Sequence, residues 1–167
     1  MARSARFLKE GVCYYVQSVS FMDKEILVEH SDYQWFMRLI QRFKRKYEVH
    51  VYAYSLLGTG VYFVLHPGSP RYLPVFMKAL KQAYAAYFNR KYGNMGRVWG
   101  QRYKSVMIHN DTELFDAIKL VEFIPVREKR ALSPVEYFWS SCSVRILGAG
   151  SLVDTMPPGS LTLANKN

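Results

Sequence analysis

Apolar positions along the chain follow two rhythms, and their alternation predicts the order of elements. Over residues 49–57 and 61–66, Val, Tyr, Phe and Leu crowd into two short runs separated by Gly58, Thr59 and Gly60, the pattern of two strands joined by a glycine-containing turn. Residues 7–20 hold a similar run that begins just after Gly11 and predicts an earlier strand. Between these, over residues 31–47, the spacing lengthens to that of a helix: Phe36, Leu39, Ile40, Phe43 and Tyr47 recur every three or four positions. Ser31 with Gln34 reads as a capping box at its start. After a turn at Pro67 to Pro70, residues 71–91 predict a second helix whose core stripe is Leu73, Phe76, Met77, Leu80, Tyr84, Tyr87 and Phe88. Gly93 and Gly96 end it, and a basic, aromatic stretch over 97–105 runs into a short strand at 106–108. Asn110 with Glu113 caps a third helix to about Phe123, with Leu114, Phe115, Ile118 and Val121 facing the core.

The order strand, helix, strand, strand, helix, strand, helix predicts an α+β fold. It is a ferredoxin-like or RRM-like sandwich, an antiparallel sheet with helices packed mainly on one face. A chain of 167 residues, half of them apolar, has material for one core, expected over 1–147. From 148 to 167, Gly, Ser and the pair Pro157 and Pro158 with few charges predict a flexible C-terminal tail. Apolar runs are too short for a membrane helix, and the basic N-terminus has no apolar segment behind it, so a cytoplasmic protein without a membrane partner is expected. Cys13 and Cys142 read as buried reduced thiols, too few for a zinc site.

Charge narrows the partner. Lys and Arg total 23 against 13 Asp and Glu, a net charge of +10, which favours a polyanion. Residues 49–110 contain no Asp or Glu, while Arg71, Lys78, Lys81, Arg90, Lys91, Arg97, Arg102 and Lys104 all fall there. The first helix adds Arg38, Arg42, Lys44, Arg45 and Lys46 on its far face. For Arg45 and Lys46, phosphate contact and simple complementation of the helix dipole both remain open.

Several stretches together resemble the HUH tyrosine transposases, of the insertion-sequence type and of the kind associated with repetitive extragenic palindromes. Tyr54, Leu56, Leu57, Val61, Val64 and Leu65 are in register with the family's Tyr-x-Leu-Met-x-Asn-His-Val-His strand. Gly96, Trp99, Arg102, Tyr103, Lys104 and Ser105 follow its Gly-x-x-Trp-Gln-x-Arg-Phe-Lys-Ser, the most specific of the matches. Pro125, Val126 and Arg127 match the end of Tyr-Ile-His-x-Asn-Pro-Val-Arg, and residues 133–141 resemble Pro-x-x-Tyr-x-Trp-Ser-Ser. Arg6, Gly11, Tyr14 and Val16 fit the family's first strand.

Active members of that family cleave single-stranded DNA near a hairpin by attack of a tyrosine on a phosphodiester, with a divalent metal that polarises the phosphate. In this sequence Gly60 and Tyr62 stand at the two histidine positions, Leu120 at the tyrosine and Ile124 at an accessory polar ligand. The resemblance therefore implies no catalytic set, no metal ligands and no cofactor. It implies a catalytically inactive DNA-binding descendant of a single-strand transposase, nucleoid-associated, a possible homodimer, binding hairpin or single-stranded DNA. Arg71, Arg97, Arg102, Lys104 and Arg127 would neutralise phosphates and Tyr103 would stack on unpaired bases. Trp99 fits either a buried or an exposed position. Tyr62 reads as packing into the vacated site, and His50 and His66 as strand-end residues, against replacement roles as nucleophile or ligands. The alternatives are an active metal-dependent transposase or nuclease with replacement residues, an RNA-binding RRM-like module lacking the usual RRM signature, and the folded product of a decaying gene.

Overall fold

The computed structural model describes residues 8–148 and 152–155. Its elements are β1 (Cys13–Val19), a 3-10 turn (Phe21–Asp23), α1 (His30–Lys46), β2 (Val49–Leu57), β3 (Gly60–Pro67), α2 (Tyr72–Tyr92), β4 (Lys104–Ile108), α3 (Asp111–Arg127), a second 3-10 turn (Pro134–Glu136) and α4 (Ser141–Leu147). The strands form one antiparallel sheet in the order β2-β3-β1-β4, the ferredoxin-like arrangement that the element order predicts.

Period-two alternation sends Tyr14 and Val16 of β1 and Val61, Phe63 and Leu65 of β3 to one face, where α1 and α2 cover them with Phe36, Ile40, Leu73, Phe76 and Leu80. The opposite face belongs to α3. Leu114, Ile118 and Val121 pack on Cys13, Tyr52, Ala53, Val64 and Ile108, and a bulge between Val51 and Ala53 lets both Tyr52 and Ala53 face that side. Tyr15 and Tyr62 are partly buried against the same cluster, and the end of β1, at half-buried Gln17 and exposed Val19, is the more open part of this face. Phe115, expected in the core, is 50% exposed because it points off the edge of the α3 stripe. Cys13 and Cys142 are buried and free.

Three local expectations change. The capping box of α1 is made by Glu29 and Asp32, with Ser31 already inside the helix. Asp32 is drawn in because it is completely buried and accepts from Val28 and Glu29 N–H and from Tyr87, Lys91 and Tyr92. Gly60 is the first residue of β3, leaving a two-residue hairpin of Gly58 and Thr59. Finally, α3 continues past Phe123 through Pro125 to Arg127. Pro125 has no N–H to give the carbonyl of Val121. The Ser55 hydroxyl of β2 donates to that carbonyl instead, at 2.7 Å, so the proline's missing bond becomes a tie between helix and sheet. Ser55→Ala leaves the Val121 carbonyl buried without this donor and is expected to cost about 1–3 kcal/mol. Thermal unfolding followed by circular dichroism should show a loss of several degrees in Tm, and an unchanged Tm would dismiss the tie.

The outer edge of β2 is closed by the chain's own C-terminal part. Leu56 N–H donates to Trp139, Tyr137 hydroxyl donates to the Leu56 carbonyl, Tyr54 N–H donates to Ser141 Oγ, and Arg145 donates to the Tyr52 carbonyl. Glu122 of α3 accepts from both Ser141 and Arg145 and so ties this edge to the helix. Residues 152–155 fall within the expected tail but are docked. Leu152 is buried in the core, Asp154 N–H donates to Val51, and the Asp154 carboxylate accepts from Val51 N–H and from buried Lys44 at 2.7 Å. The other tail residues, 149–151 and 156–167, lie outside the described residues.

Candidate nucleic-acid interface

On the α3 face one cross-strand row spans the whole sheet, from Ser55 buried beneath α3 to exposed Lys104: Ser55 opposes Tyr62, Tyr62 opposes Gln17, and Gln17 opposes Lys104. Directly opposed residues share a face and stand about 5 Å apart, so the row sets a phenol, an amide and an ammonium in line. The Tyr15 hydroxyl donates to Gln17 Oε1 at 2.9 Å and holds the amide. Arg127, exposed at the end of α3, is close enough to Tyr15 for its charge to oppose the upward push that burial gives this phenol.

Gly60 and Tyr62 act together. A Cβ at Gly60 would meet the Tyr62 hydroxyl at 3.2 Å and the Ser18 carbonyl at 3.2 Å, so the tyrosine tip lies over the space that a larger residue at 60 would need. Burial raises the Tyr62 pKa, and the carboxylates of Glu128 and Asp23 raise it further, so its proton stays on and no phenolate nucleophile is prepared. Leu120 is partly exposed on α3, and Ile124, one turn on, is buried. A glycine, a protonated phenol and two aliphatic side chains do not make a donor set for a divalent ion. His50 and His66 oppose each other at the far end of the β2–β3 pair with rings 6.1 Å apart, and burial together with His50 lowers the His66 pKa. Among the described residues no group of three or more His, Cys, Asp or Glu stands close enough to hold a metal.

The segment entering β4 divides inward from outward. Val98, Trp99 and Tyr103 are buried, Trp99 donating to the Lys81 carbonyl at 2.8 Å and packing against Phe36 and Tyr84. Tyr103, expected to stack on bases, is only 7% exposed and belongs to the core, so its ring is an anchor. The basic residues around the anchors are turned outward. Arg97, Arg102 and Lys104 are all exposed and line one groove of about 460 Å³ together with Gln17, Val19 and the Phe21–Asp23 turn. Gly100 makes the groove's tight wall: its N–H donates to the Val19 carbonyl, and a Cβ there would lie 2.9 Å from the Ser20 carbonyl. Arg97 is positioned before any ligand arrives, its guanidinium 4.8 Å from the Phe21 ring centre and bonded to the Gly100 carbonyl at 2.7 Å.

Arg71 is exposed but stands apart. It precedes α2, beyond the far end of β3, and the eight residues of that strand separate it from the groove by roughly 23 Å at about 3.3 Å per residue. Among the described residues, Lys44 pairs with Asp154, Lys91 with Glu29 and Asp32, Arg130 with Glu25, and Arg145 with Glu122. Gln17 and the Phe21–Asp23 turn escaped the sequence reading. Gln17 carried a signal, a polar residue in an apolar strand, whereas nothing in the spacing of Phe21 to Asp23 brings them beside residues 97–104.

No family model and no curated protein matches the chain in sequence. Among solved structures, a REP-associated tyrosine transposase bound to a REP hairpin matches with a TM-score of 0.73, covering 93% of this chain and 95% of that chain at 16% identity. The fold is that of a tyrosine transposase. A transposase candidate from Deinococcus radiodurans R1 is also 16% identical over 72% of this chain and 94% of that one, at a TM-score of 0.48 too loose to argue from. The first match fits the tyrosine transposase resemblance read from residues 54–65 and 96–105. In this transposase fold the basic groove and the row through Tyr62 share one face. No described helix is long and apolar enough to cross a membrane.

Proposed function

We propose that the chain is a DNA-binding protein built on the transposase fold, that it binds hairpin or single-stranded DNA on the more open part of the α3 face, and that it does not cut it. The observation that carries this reading is the groove in which Arg97, Arg102 and Lys104 converge beside Gln17. Three exposed cations around one concavity suit successive phosphates, and the anchors beneath them fix their spacing before binding. The structural likeness supports the kind of ligand, because the matched protein was solved bound to a REP hairpin. Asp23 also lines the groove, so a phosphate would rest on the Arg97 to Lys104 side. Absence of cleavage rests on Gly60, a protonated Tyr62, Leu120 and Ile124 at the positions where the resemblance expects ligands and nucleophile.

The test is a labelled DNA hairpin with single-stranded flanks, mixed with the protein with manganese or with chelator across a salt series. Expected is binding that weakens steeply with salt, ignores the chelator and leaves no covalent adduct. A metal-dependent protein–DNA adduct would falsify the inactive reading. Equal affinity for a matched RNA hairpin would replace DNA by RNA as the partner class.

A further inference from the structure

Beside the outer edge of β2, between α1 and α4, lies a cavity of about 320 Å³. Small-molecule sites usually fall in the range of roughly 300–1,000 Å³, so this one has room for a ligand of about a dozen non-hydrogen atoms. Met37 and Arg38 of α1, Tyr54 of β2, Val144 and Leu147 of α4, and Leu152 line it. Phe138 does too, and because Phe138 and Leu147 are 67% and 71% exposed, the mouth is apolar. Two polar groups in this wall are spare. Tyr54 is completely buried, yet its hydroxyl has no hydrogen-bond partner among the described residues. Few native buried hydroxyls are left in that state. Burial, reinforced by Glu122, pushes the Tyr54 pKa up to about 12, so the phenol keeps its proton and offers a donor. The Ser143 hydroxyl, also in the wall, is already bonded to the Phe138 and Ser140 carbonyls. Arg38 is exposed and is the one charged side chain among the described residues that line the cavity, and it forms no ion pair with any of them.

A chamber with apolar walls, one buried donor and one cation suits a molecule with an apolar body, an acceptor oxygen within that body and an anionic end. We propose that the cavity binds a small keto acid with an apolar body: Arg38 pairs with the carboxylate, the keto oxygen accepts from the Tyr54 hydroxyl, and the body packs on Met37, Val144, Leu147 and Leu152. An oxygen delivered to Tyr54 relieves a buried group that is unmet in the free chain, so this bond adds more affinity than one made at the surface. The site stands apart from the basic groove. Strand β2 is one edge of the sheet and β4, with Lys104, is the other, three strand spacings or roughly 14 Å away. This site goes beyond the DNA-binding reading and does not depend on it.

The full chain and its Tyr54→Phe and Arg38→Gln variants are titrated by calorimetry with three probes: benzoylpropionate, phenylbutyrate, which lacks the keto oxygen, and benzoylpropionamide, which lacks the charge. The parent is expected to bind benzoylpropionate with a Kd of about 10–100 μM. Phenylbutyrate should bind about fivefold to tenfold more weakly, and the amide about threefold more weakly. Tyr54→Phe should erase the difference between benzoylpropionate and phenylbutyrate while the Tm of the free chain is undiminished, because the variant loses only an unmet hydroxyl. Arg38→Gln, at an exposed position, should erase the difference between acid and amide. A labelled DNA hairpin should leave the benzoylpropionate affinity unchanged. Absence of heat with all three probes overturns the proposal, as does a preference for the ketone that survives Tyr54→Phe or a preference for the acid that survives Arg38→Gln. A parent that sediments as a dimer and becomes a monomer on Leu147→Ser puts a second copy on this face, and that also overturns it. Each of these failures leaves the DNA-binding reading standing.

Discussion

Asp32→Asn is expected to destabilise the protein by about 3–5 kcal/mol, the usual consequence of breaking one side of a buried charge pair. That is roughly 10 °C in Tm for a domain of this size. The carboxylate is fully buried beneath the start of α1 and accepts five hydrogen bonds, from Val28 and Glu29 N–H, Tyr87 and Tyr92 hydroxyls and the Lys91 ammonium. An asparagine fills the same space but turns one acceptor into a donor facing other donors, and leaves Lys91 with only Glu29 as an anionic partner. The same site sets an acid limit. Burial alone would raise the Asp32 pKa, but the Glu29 N–H, Lys91, Tyr92 and Tyr87 bonds overcome it and hold the group at about 2. A depressed carboxylate pKa contributes stability in full above its ordinary value near 4, and that contribution fades as pH falls toward 2. It amounts to about 2 kcal/mol. Urea unfolding of parent and variant between pH 6 and 2 checks the sign: the gap between them should narrow as pH drops below about 4, and a constant gap would refute the assignment.

The largest effect on binding is expected from Arg102→Ala with Lys104→Ala. Removing two of the three groove cations should weaken a flanked DNA hairpin about 10- to 100-fold at physiological salt. It should also flatten the slope of log affinity against log salt by about 0.7–0.9 for each cation lost. Arg71→Ala supplies the contrast. It removes an exposed arginine from the same acid-free stretch, but from the far end of β3, so the slope should hardly change. If all the basic residues contributed merely through net charge, the Arg71 variant would lose as much per charge as the groove variants, and the groove would have no special standing.

Much of this molecule was legible before its structure because its core depends on periodicity. The stripes of α1 and α2 and the alternation in β1 and β3 carry their own signal, and the basic character of residues 97–104 is plain from their letters. What was hidden depends on partners distant in sequence. The capping acid of α1 is Asp32 and not Ser31 because Tyr87, Lys91 and Tyr92 come to meet it. Helix α3 survives Pro125 because Ser55 supplies a replacement bond. Tyr103 is part of an aromatic, basic run that reads as a stacking surface, yet it is buried in that run together with Val98 and Trp99. The cations lay in the sequence as a scattered set. The groove is theirs only because the Gly100 N–H reaches Val19 and pulls residues 97–104 alongside the turn after β1.

The docking of Leu152 and Asp154 fixes how short a working fragment of this protein can be. A chain cut at residue 147 keeps every described helix and strand yet strips Lys44 of both the Leu152 carbonyl and the Asp154 carboxylate, and it unpairs both polar groups of Val51 on the β2 edge. Such a fragment would present an unfinished strand to its neighbours in solution, the usual starting point of edge-to-edge aggregation. The minimal autonomous unit therefore ends after Asp154, and a label or fusion partner attached at 148 would compete with the segment that seals the sheet.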